Sequence, residues 1–418
     1  MSRPAINAER LLGRLAAFAR IGATPAGGVN RQALSREDRD ARALLASLGH
    51  ARGFSIHQDE IANLFIRRPG QDDMLPPFLI GSHLDSQPTG GRFDGTLGTL
   101  AALEVLEAME DAGVQTNRPV EVVAWTNEEG SRFSPGTMGS MAHRHGRVPE
   151  TWASLTGSDG ALFAEELAAT LKALPNAAPR PLGRPVAGFL ELHIEQGPAL
   201  EKENIPIGVV TEVQGTRWLE VTITGQAAHA GTTELAYRRD PMAAAADAMH
   251  HLFGSVMPRD EQARLTVGRV TAEPGSVNAI PGAISFSIDI RHPTEAMLDA
   301  LERQVADTCS ATADARGCTV EIKKLFAMAP ARFSEAMVDI LEASAKRLGI
   351  PYKRMISGAF HDALHLSRVA PTAMIFVPCR DGLSHNEAEY VEPEHAVIGA
   401  RLLLEATLAA TRGLDALS

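Results

Sequence analysis

The sequence has few cysteines, no excess of basic charge, no long apolar run and no repeat. Its 418 residues include three cysteines, Cys309, Cys318 and Cys379, an odd number with no CxxC among them. That usage excludes a disulfide framework and a thiolate zinc site, and leaves buried free thiols as the expectation. Lysine and arginine number 40 against 51 aspartates and glutamates, a net charge of −11. The basic face of a nucleic-acid binder is therefore not expected. No segment approaches the roughly 18 consecutive apolar residues of a membrane span. Residues 9–20 carry charges throughout, so they cannot form the apolar stretch of a signal peptide. Leu11, Leu12, Leu15 and Phe18 predict one face of a helix there instead. A cytoplasmic protein is expected, with neither nucleic acid nor a membrane as partner.

What is present reads as an ordinary soluble globular chain, 44% hydrophobic and 22% charged, long enough for two domains. Strand and helix alternate in the first half. Phe78–Leu84, Val120–Trp125 and Phe189–Ile194 predict buried strands, and Leu97–Ala112 predicts a helix closed by Gly113. This rhythm predicts an α/β fold with a mostly parallel sheet and helices on both faces. Residues 141–187, rich in Ala, Pro and Gly, read as helices and loops around the sheet. After about Gln214 the pattern changes. Arg217–Thr224, Leu265–Thr271 and Ala283–Arg291 alternate, with helices expected at Pro241–Phe253 and Glu295–Ala311. An inserted α+β domain with an antiparallel sheet, over 214–327, is expected to divide a catalytic domain of 1–213 and 328–418. In its second part, helices are expected at Ser334–Arg347 and Pro393–Thr411 and a strand at Thr372–Val377.

Four fragments carry the chemistry. Gly81-Ser-His-Leu-Asp85 and Gly90-Gly-Arg-Phe-Asp-Gly95 follow one strand, and Thr126-Asn-Glu-Glu-Gly130 follows another. His193 lies in Glu191-Leu-His-Ile-Glu195, and His385 in Ser384-His-Asn-Glu387. Ligand sites of parallel sheets lie at the carboxyl ends of strands, and imidazoles with carboxylates gathered there suit a pair of divalent metals. His83 reads as a ligand whose imidazole Asp85, two residues on, would hold. A structural His–Asp bond is the competing reading. Asp94, among glycines, could bridge two metals, cap the following helix, or do both. The adjacent Glu128 and Glu129 invite a division of labour: Glu129 on a metal, Glu128 free as general base. His193 and His385 would be unremarkable alone; as members of the set they read as ligands. In the inserted domain His229 could donate to an oxyanion, and Asn278 and Arg291 are typical substrate donors, with a turn and a surface ion pair as the alternatives.

Together these motifs resemble the dinuclear metal-dependent amidohydrolases of the aminoacylase and carboxypeptidase superfamily. More narrowly, they are similar to the branch of N-carbamoyl-L-amino acid hydrolase, β-ureidopropionase and allantoate amidohydrolase. The likeness runs from Gly27-Gly-Val-Asn-Arg31 through GSHLDSQPTGGRFDG, TNEEGSRF, ELHIEQGP, GQAAHAGTT, RRDP, SVNAIPG, DIRHP and SGAFHDA to Pro378–Glu387. It implies two divalent ions, zinc by preference, with manganese, cobalt or nickel as substitutes. Their ligands would be His83, Asp94, Glu129, His193 and His385, with Asp94 bridging. It implies Glu128 as general base, supported by Asp85 and His229, and Gln196, Arg217, Asn278, Arg291 and Phe360 at the substrate. It further implies a homodimer through the inserted domain, which doubles as a lid, and hydrolysis of a small ureido substrate. Two departures stand out. Phe360 occupies a position where the branch has glycine, and Asn30 one where it has threonine. An intact Glu128 and five intact ligand positions speak against a catalytically silent binding protein on the same fold.

Overall fold

A computed structural model describes residues 3–415. The chain forms two compact units, Met1–Thr211 with Arg332–Ser418, and Glu212–Ala331.

The first unit is built on a large mixed sheet. Its centre is four parallel strands in the order Thr372–Val377, Gly188–Ile194, Phe78–His83 and Val120–Trp125. Every residue of these four strands is buried. Continuous apolar runs of this kind follow from a sheet covered on both faces. The parallel core agrees with the sequence expectation, but the strands on either side of it run antiparallel. Leu64–Arg68 runs against Val120–Trp125, Ser55–Gln58 against Leu64–Arg68, and Ile207–Val213 against Thr372–Val377.

The helix Thr96–Asp111 packs on the central strands and is buried almost all round, because Ala8–Phe18 and Pro393–Asp415 cover its outer side. Its buried carboxylates are paired from the first helix. Arg10 meets Glu104 at 2.6 and 2.8 Å, and Arg14 meets Glu107. Asn7 and Ser35 cap the helices that follow them by accepting the N–H three residues on. Arg31 is buried, and its guanidinium donates to the carbonyls of Phe18, Ile21 and Leu84 and to Thr96 Oγ1. It thereby ties the chain entry to the strand end and helix start that flank Asp94.

The second unit has a separate antiparallel sheet. Gly215–Thr224 lies between Ala283–His292 and Thr319–Met328, and Ala283–His292 alternates strictly between buried and partly buried residues. Helices Pro241–Ser255 and Glu295–Ala315 pack on it. Leu219, Val221, Ile223, Phe286 and Ile288 share one core with Leu252, Leu301 and Val305. The expected strand Leu265–Thr271 is instead two short ones, Arg264–Thr266 and Val270–Glu273, interrupted at Val267-Gly-Arg269. Cys309, Cys318 and Cys379 are free and buried. Among the described residues no helix is long and apolar enough to cross a membrane.

Candidate metal centre

Three parallel strands end together in the first unit. Phe78 pairs with Gly188, and the same register carried forward sets His83 beside His193, ring centroids 5.8 Å apart. The Glu128–Glu129 turn follows the neighbouring strand, whose last residue, Trp125, pairs with His83. Asp94 arrives on the glycine loop before the helix at Thr96. Gly95, at φ 60°, lies so close to His83 that any Cβ there would overlap the imidazole. Glycine is thus required there on two counts, backbone conformation and space.

The ring nitrogens are oriented for a cation. His83 Nδ1 is held by the Asp85 carbonyl at 3.0 Å and His193 Nδ1 by the Ile194 carbonyl at 2.9 Å. A ring whose Nδ1 is engaged on a carbonyl presents Nε2 as the ligating atom. His193 Nε2 lies 3.0 Å and His83 Nε2 3.4 Å from Asp94 Oδ1. On the other side, His385 Nε2 lies 3.2 Å from Glu129 Oε2 and 3.8 Å from Asp94 Oδ2. Two triads result, His83/Asp94/His193 and Asp94/Glu129/His385, each with its ligand atoms within 4.8 Å of one another. Asp94 belongs to both. Glu128 belongs to neither, and its Oε2 sits 3.6 Å from His83 Nε2.

These residues fit a pair of divalent cations. His83 Nε2 is buried and has no hydrogen-bond partner among the described residues. A buried polar atom left so is costly unless something binds it. Burial, with Asp362, Glu129 and Asp94 nearby, pushes the Glu128 carboxyl well above the ordinary range, against the pull of His83. Burial pushes Asp85 up to about 6. Burial also opposes the Asp94 charge, yet His193 and His83 hold that carboxyl well below the usual range. Its hydrogen bond to Glu129 pushes His385 up to about 9. Crowded carboxylates with two nearly buried imidazoles, all nitrogen and oxygen donors, suit zinc or another first-row divalent ion.

Several expected residues stand elsewhere than the sequence suggests. The Asp85 carboxylate does not hold His83; its Oδ1 is 3.8 Å from Nδ1. The strand ends at His83, so the same-face spacing does not extend to residue 85. Asp85 instead accepts the backbone N–H groups of Glu128 at 3.2 Å and Glu129 at 3.1 Å, fixing the turn that carries both. Asp94 does not cap its helix, whose N-cap is Gly95 without a side-chain bond. Gln196 donates to Asp94 Oδ2 at 2.8 Å and to Ser384 Oγ at 3.0 Å. Phe360 is partly buried and is absent from the left-handed backbone positions, so its place in this chain does not call for a glycine's conformational freedom.

In the second unit, His229 and Asn278 are exposed and adjacent, because Ala228–His229 pairs with Ala279–Ile280. Arg291 pairs with Asp289 at 2.8 Å. Arg217, expected at the substrate, is buried against helix Glu295–Ala315. There it pairs with Glu295 and lies 3.6 Å from Asp299 and Glu302. Its alternating strand turns it toward that helix, and three carboxylates occupy its guanidinium.

Other residues, not singled out by the sequence, touch the cluster. Gln87 Nε2 donates to Glu129 Oε2 at 2.7 Å, and Ser384 Oγ to Asp94 Oδ2 at 2.9 Å. His361 meets His193 edge to face with centroids 4.5 Å apart, and Asp362 accepts from Ser140. Glu389 accepts the N–H groups of Phe93 and Asp94. The sole sequence signal for the last three is their place inside the strings SGAFHDA and SHNEAE, where Phe360 and His385 draw the attention.

Comparison with known proteins agrees with this picture. Residues 79–409 match peptidase family M20/M25/M40. The chain is 39% identical over 404 residues to the N-carbamoyl-L-amino-acid amidohydrolase of Rhizobium meliloti, covering 96% of each. It is 32% identical to the allantoate amidohydrolase of Bacillus subtilis, covering 93% of this chain and 94% of that one. Among solved structures it resembles an amidase of the hydantoinase/carbamoylase family from Burkholderia multivorans, with a TM-score of 0.92, 41% identity and 98% of each chain covered.

Proposed function

This chain belongs to peptidase family M20/M25/M40 and is a hydrolase acting on carbon–nitrogen bonds; from that premise we propose that it hydrolyses the ureido C–N bond of an N-carbamoyl-L-amino acid. The products are the amino acid, ammonia and carbon dioxide. The observation that carries this reading is the shared Asp94 between two nitrogen- and oxygen-donor triads, with Glu128 beside them and in neither.

Two divalent cations, zinc or else manganese, cobalt or nickel, would be held by the triads and would supply Lewis acidity and a water of lowered pKa. Glu128 is the general base. Its raised carboxyl range suits it to take a proton from the attacking water and return it to the leaving nitrogen. Asp85 keeps Glu128 in place through the backbone of its turn. Gln196 and Ser384 set the plane of the Asp94 carboxylate, and Gln87 that of Glu129. Residues 214–327 are read as a lid and dimerisation domain, and the functional unit as a cytoplasmic homodimer. His229 polarises the carbonyl of the substrate, and Asn278 and Arg291 bind it, Arg291 on its carboxylate. Phe360 lines the pocket for an apolar side chain. Arg217, held by the helix Glu295–Ala315, acts on the substrate only by supporting that domain.

Likeness to an allantoate amidohydrolase supports a second reading, in which allantoate is the substrate; N-carbamoyl-β-alanine is the other ureido alternative. Ammonia release by metal-loaded protein separates them. The panel is N-carbamoyl-L-methionine, its D-isomer, N-carbamoyl-β-alanine, allantoate and an N-acetyl amino acid. Turnover confined to the L-carbamoyl compound is expected. Turnover of allantoate or carbamoyl-β-alanine instead would replace the substrate and keep the chemistry.

A further inference from the structure

One buried carboxylate near the centre has no arginine or lysine partner among the described residues and no assigned role. Glu389 is 1% exposed, and its Oε1 accepts the N–H of Phe93 at 2.9 Å and of Asp94 at 3.1 Å. These two donors are consecutive amides of the loop that delivers the shared aspartate. Its other oxygen, Oε2, has no hydrogen-bond partner among the described residues. No arginine or lysine pairs with it in any described ion pair, so it is not half of a structural salt bridge.

The position of Glu389 in its own segment gives the contact a second end. Four residues before it stands His385, held at φ 53°, and the Glu389 N–H donates to the Asn386 carbonyl at 3.0 Å. The neighbouring residues repeat the contact with apolar atoms: Phe93 meets Tyr390 edge to face at 5.8 Å. Two members of the second triad, Asp94 and His385, come from loops 291 positions apart in the chain (385 − 94). Residues 389 and 390 meet residues 93 and 94 directly and draw those loops together. Gly91 makes room for the contact, since a Cβ there would overlap the Glu389 carboxylate.

We infer that Glu389 is a positioning residue for the second metal triad: its carboxylate clamps the Asp94 loop to the His385 loop and so fixes the distance between two ligands. It touches neither substrate nor reacting atoms. A carboxyl bonded through one oxygen to two N–H groups acts by geometry, so the amide of glutamine, which keeps that oxygen, should replace it. The inference rests on reading Asp94 and His385 as ligands.

The test measures metal binding directly by titration calorimetry and equilibrium dialysis with Zn²⁺, alongside melting curves of the metal-free protein and kcat and KM for the panel substrate. Glu389→Leu should weaken the second ion by roughly 10- to 100-fold, the range typical of lost outer partners, and leave the first ion in place. The same variant should lower kcat and leave KM within about threefold. Glu389→Gln should restore both the affinity and kcat to within about threefold of wild type. Gly91→Ala should reproduce the Leu phenotype by pushing the carboxylate aside, and the double variant Gly91→Ala/Glu389→Leu should be no worse than either alone. Gly91→Ala also keeps the question answerable if Glu389→Leu fails to fold. Unchanged second-site affinity in Glu389→Leu or in Gly91→Ala would overturn the clamp. So would a Gln variant as weak as the Leu variant, which would mean that charge, not geometry, matters. Failure of the wild type to bind two ions would instead overturn the metal reading itself, and the clamp with it.

Discussion

The two triads that share Asp94 are built differently. His83 and His193 stand on buried strands, each side chain 1% exposed, with Nδ1 pinned to backbone carbonyls. His385 stands on a loop in left-handed backbone, its side chain 51% exposed, and Glu129 sits on a turn. The two histidines of the first triad are positioned by the sheet, whose register cannot shift by one residue without turning every side chain over. The second triad is positioned by single contacts from Gln87, Gln196, Ser384 and Glu389. The two strand histidines are therefore set by the core, whereas Asp94, Glu129 and His385 are set by a handful of hydrogen bonds.

The largest effect should come from the residue that belongs to neither triad. Glu128→Gln is expected to lower kcat by roughly three orders of magnitude or more, while dialysis still finds both ions bound. Retained turnover would remove Glu128 as the base. Next come the histidines. His193→Ala leaves a hole among buried residues and removes a strand-borne ligand, so it should weaken the first ion strongly and also lower the melting temperature of the metal-free protein, by several degrees for about 2 kcal/mol. His385→Ala, at an exposed loop, should weaken the second ion alone and leave that melting temperature unchanged. Equal melting losses in the two variants would break the distinction between core and loop. The smallest effect is kinetic: a chelator added to the wild type should release the ions in two phases, the more exposed one first. A single phase would mean that Asp94 couples the ions too tightly for the triads to behave separately.

Much of this is legible in the sequence, and the reasons differ by residue. Val120–Trp125 and Thr372–Val377 can be read from apolar runs, because strands buried on both faces leave little else. His83, Glu128 and Glu129 follow such runs directly, so chain position alone announces them. Leu64–Arg68 is less legible although wholly buried, since it carries two arginines, one of them paired with Glu121 at 2.7 Å. Asp85 is visible, but its partner is not. The i, i+2 rule assumes a strand that has already ended, and the carboxylate serves the next strand's turn instead. Arg217 has the chemistry of a substrate donor, and only the helix packed over its strand shows that its charge is spent on Glu295. Glu389, Ser384 and Gln196 are hardest, because each acts on a loop far away in the chain, and no local spacing encodes that meeting.

The long separation between Asp94 and His385 has a consequence for how the protein comes into being. A chain leaving the ribosome exposes His83, Asp94, Glu129 and His193 before residues 212–331 are made, yet the strand Thr372–Val377 that flanks His193, and His385 beyond it, emerge only after them. Residues 212–331 can fold on their own core in the meantime. In the first unit, the strand Gly188–Ile194 lacks its Thr372–Val377 neighbour until that later segment is made. A chain stopped before residue 372 therefore lacks both His385 and the strand beside His193, and holds one triad at most.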